Sequence, residues 1–149
     1  MIATAPARAR TAIPTRAWIG AIVMLALILR VALVLGTSDY APRTDAADYD
    51  RIAVSLVEHG DFSSSYLAAK GGPTAFRPPL FPIALAGVYE LSGTGSATSR
   101  WEAARIFEAA LGAVAVLLLS LIALRIWGRR TALIAGAIAA VDPPLILVG

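Results

Sequence analysis

Three long apolar runs divide the chain. They lie at 17–36, 102–124 and 131–149, and few charged residues interrupt them. A helix needs about 20 apolar residues to cross the roughly 30 Å hydrocarbon layer of a bilayer, so each run has the length of a transmembrane helix. The pattern therefore predicts an all-α, multi-pass membrane protein with three transmembrane helices.

The polar segment between the first two runs, residues 37–101, contains two shorter helical patterns. At 45–59 apolar side chains recur at the spacing of an amphipathic helix, and Gly60 is a natural residue to end it. At 79–91 a second apolar run follows two prolines. It is too short to span a bilayer, so a re-entrant or interfacial helix is expected there.

Composition agrees with a membrane protein. Hydrophobic residues make up 58% of the 149 residues and the mean hydropathy is +0.72, whereas soluble domains are roughly 45–50% apolar even when glycine is counted. The chain has no cysteine, which excludes disulfides and thiolate metal sites. Its one histidine, His59, is expected to interact with the C-terminal dipole of the 45–59 helix rather than to bind a ligand.

The net charge of +3 comes from arginines that flank the apolar runs. They cluster in a tail at 1–16 and in a turn at 125–130, which the positive-inside rule places on the cytoplasmic side. The expected location is therefore the plasma membrane, with a cytoplasmic N-terminus and 37–101 outside. No basic stripe remains for nucleic acid. A cleavable signal peptide is the alternative for the first run, but no small-x-small cleavage site precedes Thr37.

Asp45 and Asp48 open the amphipathic helix. One interpretation is structural, because carboxylates at this spacing cap the free amides of a helix and favour the positive end of its dipole. The other is chemical, because an Asp45 carboxylate at the membrane surface can take a proton from a hydroxyl or amine that attacks a sugar. The two interpretations are compatible.

Arg77 stands before a double proline, which holds its backbone extended. It either snorkels to lipid phosphate, as interfacial arginines commonly do, or is fixed to bind the phosphate of a particular lipid-linked donor.

Within the apolar runs the chain also carries Arg30, Glu108 and Asp142. Because a charge inside a bilayer is costly, Arg30 is expected to pair with Glu108 or Asp142 and so to tie the spans together. The alternative is that all three snorkel to the interface.

These residues together resemble a family. An early span is followed by Asp45 and Tyr49, then by TAFRPPLFP at 74–82, then by Ala104-Arg105 at the start of the next span. This order is similar to that of integral-membrane glycosyltransferases related to protein O-mannosyltransferases and to the aminoarabinose transferases of lipid A. The resemblance runs from about Trp18 onward, and the double-proline segment is its most specific part.

The resemblance implies an inverting transfer of a sugar from a polyprenyl-phosphate donor to an acceptor at the outer membrane face. Asp45 would be the catalytic residue. Asp48, Tyr49 and Arg77 would bind the substrate, with Arg77 on the carrier phosphate. The sugar and the acceptor, whether protein, lipid or polysaccharide, are not specified.

Two positions depart from the family pattern. Ala46 stands where many relatives have a second acid, and Phe76 stands where some have a candidate metal ligand. A divalent metal is therefore doubtful, and no cofactor is assigned.

Such enzymes are usually several times longer, so the chain is expected to be the N-terminal portion of one and inactive alone. A non-catalytic membrane scaffold and a transporter fragment are the alternatives. The scaffold hypothesis predicts that Asp45 is only a helix cap, with no cavity above it.

Overall fold

The computed structural model describes residues 14–37, 39–63, 73, 75–93 and 95–147. Most of the N-terminal tail and the loop at 64–72 lie outside this range. Within it the chain forms six helices and one isolated bridge between Ser63 and Pro73, so the all-α prediction is confirmed there. The helices are α1 (Thr15–Gly36), α2 (Thr44–His59), α3 (Leu80–Ser92), α4 (Ala97–Trp127), α5 (Arg129–Val141) and α6 (Pro143–Leu147).

Two of the helices, α1 and α4, are long and apolar enough to cross a membrane. The third predicted span is interrupted at Asp142, where the chain leaves α5 before it enters α6. At 1.5 Å per residue the 13 residues of α5 extend about 20 Å, which is less than the thickness of a bilayer core. A third span stays a prediction.

The turn predicted at 125–130 is much tighter in the structure. Helix α4 continues through Arg125 to Trp127, and only Gly128 separates it from α5. Gly128 has a φ of 85°, a conformation that side chains disfavour, and this residue alone reverses the chain. At its other end α4 begins earlier than predicted, at Ala97. The Ser96 and Ser99 side chains form a capping box there.

Helices α1, α4 and α5 pack together as a bundle with small residues at its centre. Ala26, Val116, Ala139 and Ala140 form the buried cluster. Gly136 lies so close to the Ser120 hydroxyl that a Cβ at this position would collide with it. Small residues that allow backbones to approach closely are typical of helix contacts inside membranes.

The amphipathic helix α2 packs on α3, and α3 packs on α4. Its buried face meets Leu85 and Tyr89 of α3. As predicted, α2 ends at Gly60, which is left-handed with a φ of 73°, and the Gly60 amide donates to the Leu56 carbonyl. The α2–α3 layer thus presents the first turn of α2 beside the segment that precedes α3.

Candidate functional site

The first turn of α2 and the residues just before α3 form the candidate site. The double proline keeps Arg77 outside the helix, because α3 begins only at Leu80 with Pro79 as its N-cap. Arg77 is thereby held next to the two acids that open α2. The structure therefore brings together the four residues assigned to catalysis and substrate binding: Asp45, Asp48, Tyr49 and Arg77.

Arg77 bridges both carboxylates. Its Nε donates to Asp48 Oδ2 at 2.8 Å, and its Nη2 donates to Asp45 Oδ1 at 2.6 Å. The two acids differ sharply in environment, since the Asp48 side chain is 2% exposed and that of Asp45 is 72% exposed. Asp48 is therefore the buried anchor for the guanidinium, and Asp45 is the partner that solvent and ligands can reach.

Two aromatic rings limit where the guanidinium can move. The Arg77 Cζ lies 4.8 Å from the centre of the Phe76 ring and 5.2 Å from that of Tyr49. The Tyr49 ring is held in turn by an edge-to-face contact with Phe81 at 5.2 Å. Cations near ring faces are attracted by the ring quadrupole, so these contacts add to the ion pairs in fixing the Arg77 side chain.

The Arg77 guanidinium stays protonated at any physiological pH. The hydrogen bond to Asp45, and then the one to Asp48, raise the pKa of Arg77 above its usual value. The guanidinium is therefore a permanent cation with a planar set of donors, the geometry that suits phosphate oxygens.

A cleft of about 750 Å³ opens above these side chains. Its size lies within the range of small-molecule sites. Asp45, Asp48, Arg43, Arg51 and Arg77 are the charged residues that line it, which gives the wall a formal charge of +1. Such a wall favours an anionic ligand while still offering a carboxylate to it.

Asp45 does not serve as a helix cap. The N-cap of α2 is Arg43, whose side chain makes no capping bond. Within the described residues the Asp45 carboxylate accepts from Arg77 and from no backbone amide. This geometry differs from the one that the scaffold hypothesis predicts.

The backbone next to Asp45 is strained. Thr44 has a φ of 50°, the left-handed region that a β-branched residue rarely adopts. Such outliers persist only where the surrounding structure imposes them, and they cluster at functional sites.

The expected pairing of Arg30 with Glu108 or Asp142 is not what the structure shows. Arg30 is buried, and its guanidinium donates to the carbonyls of Ala26, Ala140 and Leu145 at 3.1, 3.4 and 3.2 Å. No ion pair of Arg30 occurs among the described residues.

Arg30 bonds backbone carbonyls and not an acid because of the break between α5 and α6. Pro144 lacks the amide hydrogen that a continuous helix would direct at the Ala140 carbonyl, so this acceptor is open to Arg30. Asp142 is engaged locally, since its Oδ2 accepts from the Leu145 amide at 3.3 Å at the start of α6.

Sequence reasoning missed a second polar cluster. The Tyr89 hydroxyl donates to Asp50 Oδ1 at 2.8 Å, and Arg100 Nε lies 3.7 Å from the same oxygen. Burial, and then the bond to Asp50, raise the pKa of the Tyr89 hydroxyl, which keeps its proton available for donation. These contacts tie α2 to α3 and α4. The only signal for this cluster in the sequence was the polar residue Asp50, which lies on the face of α2 that packs inward.

In the described part of the chain no group of three His, Cys, Asp or Glu side chains is placed to hold a metal ion. Comparison of the chain with models of protein families, with curated proteins and with solved structures gives no match.

Proposed function

We propose that this chain binds a polyprenyl-phosphate-linked sugar at the outer surface of a membrane and contributes the catalytic carboxylate for transfer of that sugar. The observation that carries the proposal is the meeting of Asp45 and Arg77, 32 residues apart in sequence, in one open cleft. Such a transfer needs two groups, a base that takes the proton of the acceptor and a cation that binds the departing phosphate.

A membrane location is supported by the surface of the long helices. In the most apolar window of α1 and of α4, only 22% and 28% of the residues are buried. Large aliphatic side chains such as Met24, Leu118 and Ile122 remain exposed, and a soluble protein rarely leaves a continuous apolar belt in water. In the proposed topology α1 and α4 span the plasma membrane, the N-terminus is cytoplasmic, and α2 and α3 lie on the outer face.

The proposed reaction is an inverting substitution at the anomeric carbon. The acceptor oxygen forms the new bond as the bond from the anomeric carbon to the phosphate oxygen breaks. The proton of the acceptor passes to Asp45, and the lipid phosphate departs with its negative charge next to Arg77. The bonds, the proton and the charge of this step balance without a redox partner or a metal ion.

The two ion pairs of Arg77 fit this sequence of events. The exposed bond from Nη2 to Asp45 is the one that a donor phosphate can replace, whereas the buried bond to Asp48 keeps the guanidinium in place. Exchange at Nη2 would also release the Asp45 carboxylate to act as a base. Asp48 is thus a positioning residue, and Tyr49 helps to orient Arg77.

The test separates donor binding from transfer. Binding of undecaprenyl phosphate to the chain in lipid nanodiscs is measured for the wild type, Arg77→Gln and Asp45→Asn. We expect Arg77→Gln to weaken binding at least tenfold and Asp45→Asn to leave it within about threefold.

Transfer is then followed with a radiolabelled lipid-linked sugar in native membranes that contain this chain. Asp45→Asn should abolish this transfer. Asp39→Asn, which changes another acid near the membrane surface, is the control and should not abolish it. Unchanged binding in Arg77→Gln, or unchanged transfer in Asp45→Asn, overturns the proposal.

A further inference from the structure

A second charged cavity lies on the other side of α2. Its volume is about 340 Å³, and it is enclosed by the C-terminal part of α1, the N-terminal half of α4 and the region of α6. Ala46 lines this cavity, whereas its neighbours Asp45 and Ala47 line the Asp45–Arg77 cleft. The first turn of α2 therefore separates the two spaces.

The cavity holds more positive than negative charge. Its charged lining residues are Arg30, Arg105 and Glu108, which sum to a formal charge of +1. Within the described residues none of the three takes part in an ion pair. An uncompensated charge between membrane-spanning helices is costly, so a counter-charge is expected.

The two arginines are held in place by neutral acceptors. Arg30 is 3% exposed and donates only to carbonyls, and its Nε has no hydrogen-bond partner among the described residues. Arg105 donates to the Val34 and Thr37 carbonyls at 3.3 and 3.0 Å and to the Thr37 hydroxyl, and its Cζ lies 4.5 Å from the centre of the Tyr40 ring. Neither cation is neutralised by these contacts.

Apart from Thr37 and Tyr40, the rest of the wall is apolar. Leu33, Val34, Ala109 and Ile146 face the same space. A ligand that matches this wall combines a single negative charge, oxygen acceptors suited to guanidinium groups, and an aliphatic chain. A phosphodiester carries one negative charge, whereas a phosphate monoester carries about 1.5 to 2 at neutral pH.

We propose that this cavity binds the phosphodiester head group of an anionic membrane lipid, between Arg30 and Arg105. The proposal depends on the membrane location but not on sugar transfer. It assigns to Glu108 the role of setting the charge of the site, because Glu108 reduces two positive charges to one.

The experiment measures lipid binding to the full chain by native mass spectrometry and by the shift of the thermal midpoint in detergent. The probes are phosphatidylglycerol, a phosphodiester with one charge; phosphatidic acid, a monoester; zwitterionic phosphatidylcholine; and inorganic phosphate. We expect phosphatidylglycerol to bind with 1:1 stoichiometry and at least tenfold more tightly than phosphatidylcholine. Displacement by millimolar inorganic phosphate would overturn the lipid assignment in favour of a free-anion site.

The variants change the charge of the cavity with little change in shape. Arg105→Gln retains donors for Thr37 but makes the cavity neutral. It should weaken the binding of phosphatidylglycerol at least tenfold. Arg125→Gln, at the opposite end of the same helix, is the matched control and should bind normally. Glu108→Gln raises the formal charge to +2 and should shift the preference towards phosphatidic acid.

Equal binding in Arg105→Gln and Arg125→Gln would overturn the proposal, as would an unchanged preference in Glu108→Gln. Where a variant fails to fold, Arg30→Lys, which keeps the charge but loses the planar set of donors, provides a second measurement and should weaken binding. Unchanged binding in Arg30→Lys counts against the site. Asp45→Asn, which tests sugar transfer, should leave this lipid binding unaltered, so that the two proposals fail separately.

Discussion

Asp48 accepts a 2.8 Å hydrogen bond from the Nε of Arg77, 29 residues further along the chain, in a position where the carboxylate is almost fully buried. The second carboxylate on the same guanidinium, Asp45, is mostly exposed. One cation thus has an anchoring partner and an exchangeable partner, and the two can be distinguished by mutation.

Asp48→Ala should destabilise the protein far more than Asp45→Ala. Removal of the buried acceptor costs about 2 kcal/mol in unfolding free energy, since hydrogen bonds to charged groups contribute roughly 1.5–3 kcal/mol. Removal of the exposed acceptor costs less than about 1 kcal/mol. Thermal unfolding in detergent measures the difference, and equal midpoints for the two variants would contradict the anchoring role.

Gly112→Ala should destabilise the bundle. A Cβ at this position would lie 2.7 Å from Arg30 Nε and 3.1 Å from its Cδ, and Arg30 cannot move away without losing its bonds to the backbone carbonyls. Overpacking of this kind costs about 1–3 kcal/mol. The matched control is Gly20→Ala in α1, where a Cβ meets nothing within 4 Å and the better helix propensity of alanine should stabilise slightly. A gain in thermal midpoint for Gly112→Ala would show that Arg30 is not fixed against α4.

Thr44→Asn should raise the thermal midpoint. Asparagine tolerates the left-handed conformation that Thr44 adopts, so the change relieves strain of about 1 kcal/mol. Thr44→Ala keeps a Cβ and lacks this tolerance, and should give no comparable gain. If Asn and Ala behave alike, the strain at Thr44 does not limit stability.

Asp61 should contribute stability that depends on pH. Hydrogen bonds from Ser55, at 2.6 Å, and then from Ser63 lower the pKa of Asp61 below its usual value of 3.8. A group with a lowered folded pKa stabilises the protein above its unfolded pKa, and this contribution is lost as the pH falls from about 4 through the folded value.

Ser55→Ala should therefore raise the pKa of Asp61 towards its usual value and reduce the loss of thermal midpoint below about pH 4. The carboxyl titration can be followed by NMR. The control is Ser92→Ala, because among the described residues the Ser92 hydroxyl bonds only backbone carbonyls, so its removal should not alter the acid titration. An unchanged Asp61 titration in Ser55→Ala would contradict the assigned cause.

The elements that local pattern determines were predicted well. The amphipathic spacing and Gly60 define α2, and the double proline explains why α3 starts at Leu80. The break at Asp142 was missed because a 19-residue apolar run indicates a span even though Pro143 and Pro144 interrupt its hydrogen bonds.

The sequence indicated which residues form the candidate site, but it did not indicate how these residues contact one another. Asp45 and Arg77 were singled out from their positions at a helix start and before prolines, yet nothing in the sequence showed that one guanidinium would bridge both acids. The partners of Arg30 were unpredictable for a similar reason. They are backbone carbonyls, one of which, that of Ala140, is released by the distant Pro144, and charge pairing gives no signal for them.

The bond from Arg30 to the Ala140 carbonyl joins residues 110 positions apart. At a synthesis rate of about 5–20 residues per second, the acceptor leaves the ribosome on the order of 10 s after the donor. Throughout that interval the guanidinium of the nascent first helix has only the Ala26 carbonyl of its three final acceptors. In the proposed topology the lasting placement of Arg30 in the bilayer therefore waits until Ala140 and Leu145 have been translated.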